Sequence, residues 1–289
     1  MRRLIINADD FGLTSGVNRS IIESHQHGVL TSATLMAAAR ASEEAARLAL
    51  QHPKLGVGCH VVLVDGAPLS DPVTLPSLMK SGGDGRFTNS IGTLARRAML
   101  RRIHPDEVER EANAQFQRLG DLGLSVTHFD SHKHAHLFPA LLEPLLRAAR
   151  ACGIRAVRNP FEPPSPLPKN VVRGNPKLWK RYAQARVLRE WQPIFRRLVA
   201  KAGLRTTSGT LGIVVTGVLD QRILEQLVAE VPEGTWELVC HPGYDDEELR
   251  SVRTRLRSSR EIERKALMSL ETKRLLESRG IELISYREL

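Results

Sequence analysis

Leu4-Ile5-Ile6-Asn7-Ala8-Asp9-Asp10-Phe11-Gly12 opens the chain with a short apolar run that breaks into two adjacent carboxylates and a glycine. Comparable runs, short and rich in apolar or β-branched residues, recur at 30–36, 55–63, 125–129, 154–157, 211–215, 237–240 and 281–284. Segments with a helical period separate most of them, at 16–25, 42–51, 105–122, 140–151, 219–229 and 259–278. Ser42 before Glu43-Glu44, and Pro105-Asp106-Glu107, mark helix starts with acidic first turns. Leu122-Gly123 and Ala151-Cys152-Gly153 mark helix ends. Strands that alternate with helices are joined by right-handed crossovers and form a parallel sheet. About eight such units predict an α/β fold of (β/α) barrel-like form, with about seven or eight parallel strands. No internal repeat interrupts the alternation.

Working outward, the 289 residues read as one barrel-like catalytic domain spanning 1–289, with loop insertions near 65–89 and 161–206. The first insertion carries Ser81-Gly82-Gly83-Asp84-Gly85, and the second is rich in proline around Pro160, Pro163, Pro164, Pro166 and Pro168. Such loops are where a barrel places its substrate contacts. A hydrophobic content of 42% suffices for a full core. Cys59, Cys152 and Cys240 are odd in number and lack a C-x-x-C spacing, which argues against a disulfide framework and a cysteine zinc site. The apolar run after Met1-Arg2-Arg3 is too short for a signal peptide, and no stretch approaches the ~20 apolar residues of a membrane span. These features predict a soluble, cytoplasmic protein.

The net charge of +10 is localised. Eleven basic residues between Lys169 and Arg205, against the single Glu190, account for all of it. A surface that coats nucleic acid is therefore not expected; one basic segment is, and nucleic acid is not predicted as a partner. Trp179, Tyr182, Trp191 and Phe195 interleave with these cations. That composition admits peripheral contact with the inner face of a membrane through 169–205, or a helix whose aromatics pack on the barrel.

Chemistry gathers at the strand ends. Asp9 and Asp10 leave a buried strand together, which is costly unless a cation or hydrogen bonds compensate them. The competing structural reading is a helix N-cap at Asp10. Asp10-Phe11-Gly12 also matches the kinase metal motif, but the glycine-rich loop, strand lysine and H-R-D that would precede it are missing. His60 stands alone inside the apolar run 55–63, a placement equally typical of a hydrogen-bonded core histidine. Four of the ten histidines lie within Thr127-His128-Phe129-Asp130-Ser131-His132-Lys133-His134-Ala135-His136. An extended chain there would send His132, His134 and His136 to one side, where neutral imidazoles suit a divalent cation. Cys240-His241-Pro242-Gly243 repeats the pattern of strand, histidine and turn, and His241 is either a general acid or a hydrogen-bonded strand-end residue. The C-terminal strand ends of a barrel converge on one face, so these residues meet, and the constellation points to metal-assisted hydrolysis.

Asn7-Ala8-Asp9-Asp10-Phe11-Gly12, the glycine-flanked His60, Asp130-Ser131-His132-Lys133-His134-Ala135-His136 and Cys240-His241-Pro242-Gly243 together resemble the YdjC/ChbG carbohydrate deacetylases. The resemblance runs to about residue 160 and resumes at 211. It implies a barrel-like fold related to polysaccharide deacetylases and hydrolysis of an N-acetyl group from an amino sugar. It further implies one divalent metal on Asp10, His60 and His132, with Asp9 as base and His241 as acid; mixed nitrogen and oxygen ligation fits zinc, cobalt or nickel, and the resemblance also permits magnesium. Asp130, His134, His136 and Arg158 are assigned to substrate binding or to support of the ligands. Within the family the chain looks closest to the hopanoid-associated HpnK members, which suggests a lipid-linked amino-sugar substrate as well as a small soluble one; a homodimer is allowed. The rivals are another metal hydrolase on the same frame, such as a phosphoesterase, and a non-catalytic basic protein that binds RNA or membranes.

Overall fold

The computed structural model describes residues 1–164 and 176–289. Its first half runs β1 (Arg2–Phe11), α1 (Ser15–His27), β2 (Ser32–Leu35), α2 (Ser42–Gln51), β3 (Gly56–Val61), α3 (Ile91–Met99), α4 (Pro105–Asp121), β4 (His128–Ser131), α5 (Pro139–Ala151) and β5 (Ala156–Val157). Then follow α6 (Pro176–Leu188), α7 (Gln192–Ala202), β6 (Thr210–Leu211), α8 (Gln221–Ala229), β7 (Gly234–Cys240), α9 (Glu247–Ser251), α10 (Ser258–Met268), α11 (Leu270–Ser278) and β8 (Ile281–Leu283).

The eight strands form one sheet in the order β5-β4-β3-β2-β1-β7-β6, and β8 pairs with the start of β1. Every strand pairing is parallel. The two sheet edges approach each other through 205–211: Arg205 makes a parallel bridge to Ala156, and Thr210–Leu211 pair with Glu237 and Leu238. The sheet thus curls into a barrel-like ring, as the alternation of short strands and helices predicts.

Residues of β1 alternate between two environments, as the pleat requires. Leu4, Ile6 and Ala8 join the apolar layer under the helices, where α4 adds Val108, Ala112, Phe116 and Leu119 at helical spacing. Ile5 instead joins Ala156, Ile284 and Tyr286 in a small separate cluster. Above that floor the same face of β1 presents Asn7 and Asp9, so the interior turns polar toward the C-terminal strand ends.

Some boundaries differ from expectation. The run at 211–215 is a strand only to Leu211, because Gly212 takes φ +100° and a Cβ there would lie 2.6 Å from the Val239 carbonyl oxygen. The segment 259–278 is two helices, with Ser269 capping α11 through the Glu271 N–H. Helices α3 and α9 were not foreseen. Thr14, not Asp10, caps α1, its side chain accepting the Val17 N–H, which removes the capping explanation for the carboxylate pair. Pro166, Pro168, Lys169 and Arg173 of the second insertion lie outside the described residues. Among the described residues no helix is long and apolar enough to cross a membrane.

Buried Glu162 holds the turn after β6. Its Oε1 accepts the Val214 N–H at 3.2 Å, while Oε2 has no partner among the described residues. Burial pushes its pKa up to about 7 against the pull of the backbone N–H groups of 212–214. A raised carboxyl pKa means that the folded chain keeps a proton the unfolded chain has lost, so wild-type stability falls as pH rises from about 4.5 to 7. Gln does not titrate. The melting temperature of wild type relative to Glu162→Gln is therefore expected to drop across that window and stay level above it; a difference that does not change with pH would refute the assignment.

Candidate active site

Asp9 and Asp10 are consecutive residues of a strand, and a regular pleat would send them to opposite faces. The register of β1 against β2 shifts between Ala8 and Phe11, and Asp10 adopts φ +65°. This left-handed bulge costs about 1 kcal/mol or more for a residue with a Cβ. It re-aims Asp10, so both carboxylates serve the same C-terminal mouth.

There the chain brings three donors from three strand ends together. Asp10 Oδ1 lies 3.6 Å from His60 Nε2 and 3.7 Å from His132 Nδ1, and the two imidazole nitrogens are 3.4 Å apart. A tetrahedral ion with bonds of about 2.1 Å has ligand atoms about 3.4 Å apart, so the triangle has the size a divalent metal requires. Two of the three side chains are oriented from behind. Arg260 Nη2 takes the other Asp10 oxygen at 2.5 Å, and Asp130 Oδ1 accepts from His60 Nδ1 at 2.7 Å. Burial opposes charge on His60, yet Asp130, with Asp9 and Asp10 beyond it, raises its pKa to about 9. The cluster therefore attracts positive charge, as a metal site must.

Arg158 lies fully buried among carboxylates. It grips Asp9 with both terminal nitrogens, Nη1 to Oδ2 at 2.9 Å and Nη2 to Oδ1 at 2.6 Å. It also pairs with Asp130, and its Nε donates to Glu237 Oε1 at 2.8 Å. Burial would raise the Asp9 pKa, but Arg158 and then His60 hold it well below the ordinary carboxylate range. Asp10 is likewise kept ionised against burial by Arg260 and His132.

His241 Nε2 stands 3.8 Å from Asp9 Oδ2, and the His241 backbone N–H donates to Glu263 at 2.6 Å. Burial lowers the His241 pKa to about 4, so the ring is neutral near pH 7. Burial likewise lowers His134 to about 3.

One expectation fails here. The histidine run is not extended: 132–137 is a 3-10 turn in which Lys133 and His134 both take φ +54°. His132 alone turns to Asp10 and His60. His136 packs behind, its Nδ1 2.6 Å from Ser131 Oγ and its Nε2 3.2 Å from the Arg158 carbonyl oxygen. His134 lies edge-on to His136, and its Nδ1 has no partner among the described residues.

The sequence reading passed over Arg260 and Glu263 of α10, as well as Glu237 and Tyr286. Only Glu237 left a local signal, a carboxylate inside the apolar run 237–240. The basic segment also differs from a free cationic face. Arg181 donates to the backbone carbonyls of Val214 and Thr216, Arg189 to that of Glu162, Arg196 to that of Ser208 and Arg205 to that of Leu289. Trp191 packs on Phe138, and Phe195 on His136 and Phe161. Trp179, 52% exposed, remains outside.

The profile of YdjC-like proteins matches residues 3–278. The chain belongs to the YdjC-like family. A carbohydrate deacetylase of Brevibacillus brevis is 35% identical to this YdjC-like chain over 99% of both proteins. A chitooligosaccharide deacetylase of Serratia marcescens is 31% identical over 99% of the chain and 98% of its own length. Among solved structures, an Enterococcus faecalis protein whose name proposes cellobiose-phosphate cleavage superposes with a TM-score of 0.76 at 26% identity, over 99% and 98% of the two chains. These YdjC-like relatives thus align with nearly the full length of the chain.

Proposed function

We propose that this chain is a metal-dependent hydrolase that removes the N-acetyl group from an N-acetylated amino sugar. The observation that carries the reading is the triangle of Asp10, His60 and His132 with a carboxylate, Asp9, and a histidine, His241, beside it. The deacetylase names of the full-length relatives support the sugar substrate. Asp10, His60 and His132 would hold one divalent ion, zinc or magnesium, which when bound polarises the acetyl carbonyl and acidifies water. Asp9, fixed by Arg158, accepts the proton of the attacking water. His241 enters neutral with Nε2 3.8 Å from Asp9, a gap that one bridging water spans, so the proton taken at Asp9 passes through that water to His241 and on to the departing amine nitrogen. Acetate and a free amino sugar result.

Asp9, His60 and Asp130 form a second cluster of possible metal donors, which a two-metal phosphoesterase would use. Arg158 sits on two of its three members, supplying there the positive charge of a second ion. This favours one metal per chain.

Purified protein is expected to release acetate from N-acetylglucosamine oligomers, from an N-acetylglucosaminyl lipid, or from both. Chelation should abolish the release and added zinc or magnesium restore it. A lipid-linked substrate would come with peripheral contact between an anionic bilayer and the exposed Trp179, Lys180, Arg186 and Val187. Phosphate release from sugar phosphates without acetate release would replace this reading with the phosphoesterase.

A further inference from the structure

The C-terminal tail reaches the catalytic side of the barrel from below. After β8 the chain turns under the ring, where the Tyr286 N–H donates to Ser32 Oγ at 3.1 Å. The Tyr286 ring is buried and stacks on the His128 imidazole, with centroids 3.6 Å apart and planes within 10°. Its hydroxyl donates to Glu237 Oε2 at 2.6 Å. The other Glu237 oxygen accepts from Arg158 Nε, and the far end of that guanidinium holds Asp9. Four side chains are thus linked end to end, from the floor of the barrel to the carboxylate at its mouth.

We infer that Tyr286 is a positioning residue for Asp9, acting through Glu237 and Arg158. A guanidinium with carboxylates on several sides can turn toward any of them. Arg158 faces Asp9, Asp130 and Glu237, and only one orientation presents both terminal nitrogens to Asp9. Glu237 fixes that orientation from the adjacent edge, where its Oε1 accepts from Nε at 2.8 Å and lies 2.7 Å from Nη2, the nitrogen it shares with Asp9. Glu237 must in turn be held, since a buried carboxylate with a free oxygen would rotate to find a donor. Tyr286 supplies the strong donor, and Thr210 Oγ1, at 3.3 Å, only a weak one. The three groups that form the metal triangle take no part in this chain of bonds.

Tyr286→Phe keeps the stacked ring and removes the hydroxyl alone, and Glu237→Gln tests the next link. The first measurement is hydrogen exchange at Arg158 Nε–H by nitrogen-edited NMR, with the resonance identified by its disappearance in Arg158→Lys. Both variants should exchange about tenfold faster than wild type. For the acetate-release activity, on whose assignment the kinetic arm rests, kcat should fall roughly tenfold with KM within about twofold. Zinc affinity, measured by chelator competition, should stay at the wild-type value. In an Asp9→Asn background Tyr286→Phe should cost nothing further, because its effect runs through that carboxylate. Unchanged exchange, or an additive loss in the Asp9→Asn background, would overturn the inference. Should wild type release no acetate, the deacetylase reading falls, and the exchange result alone decides whether Tyr286 fixes Arg158.

Discussion

Asp9→Asn is expected to lower the rate of acetate release by about 10²–10⁴-fold while the protein still binds one metal ion per chain. The two adjacent aspartates face different partners. Asp10 Oδ1 points at the imidazole nitrogens of His60 and His132, whereas both oxygens of Asp9 are taken by Arg158, with His241 behind. An amide at position 9 keeps the shape but cannot accept a proton from water, so the loss falls on kcat. Asp10→Asn would instead remove the anionic donor proposed for the metal, and metal content should fall with activity. Metal analysis of the two purified variants, beside their kinetics, separates the roles. If Asp9→Asn loses its ion as readily as Asp10→Asn, the division of labour is wrong.

Arg158→Met should cost the most stability, about 3–5 kcal/mol in urea unfolding near pH 8. Methionine approximates the stem of arginine, so little cavity is left. What it leaves is Asp9, Asp130 and Glu237 together in a dry interior without their shared cation. Burial already raises the Glu237 pKa with Arg158 present, and in the variant the neighbouring carboxylates should be pushed up as well. The folded variant then binds protons that its unfolded chain does not, so its deficit should shrink as pH falls from 8 toward 5. A variant within about 1 kcal/mol of wild type at pH 8 would show that the guanidinium is not needed for charge balance.

Much of this was legible in the chain itself, for a definite physical reason. Period and punctuation are local properties: α2 begins and ends where Ser42 and the helical spacing place it, and all eight strand positions follow from short apolar runs closed by polar residues. A barrel-like frame then puts strand ends on one face, which is why Asp10, His60 and His132 meet although 122 positions separate the first from the last. What periodicity cannot carry is a break in periodicity. The left-handed Asp10 sets two consecutive carboxylates on one site, and two left-handed residues after His132 turn a row of histidines into one donor and two supporting rings. Pairing of buried charges is equally beyond the sequence. Arg260 reaches Asp10 from 250 residues away, and Arg158 gathers carboxylates from three strands. The sequence alone determined the frame and the residue types at its mouth. Only the tertiary structure decided which charge neutralises which, because that choice depends on distances of a few ångströms between segments with no local relation.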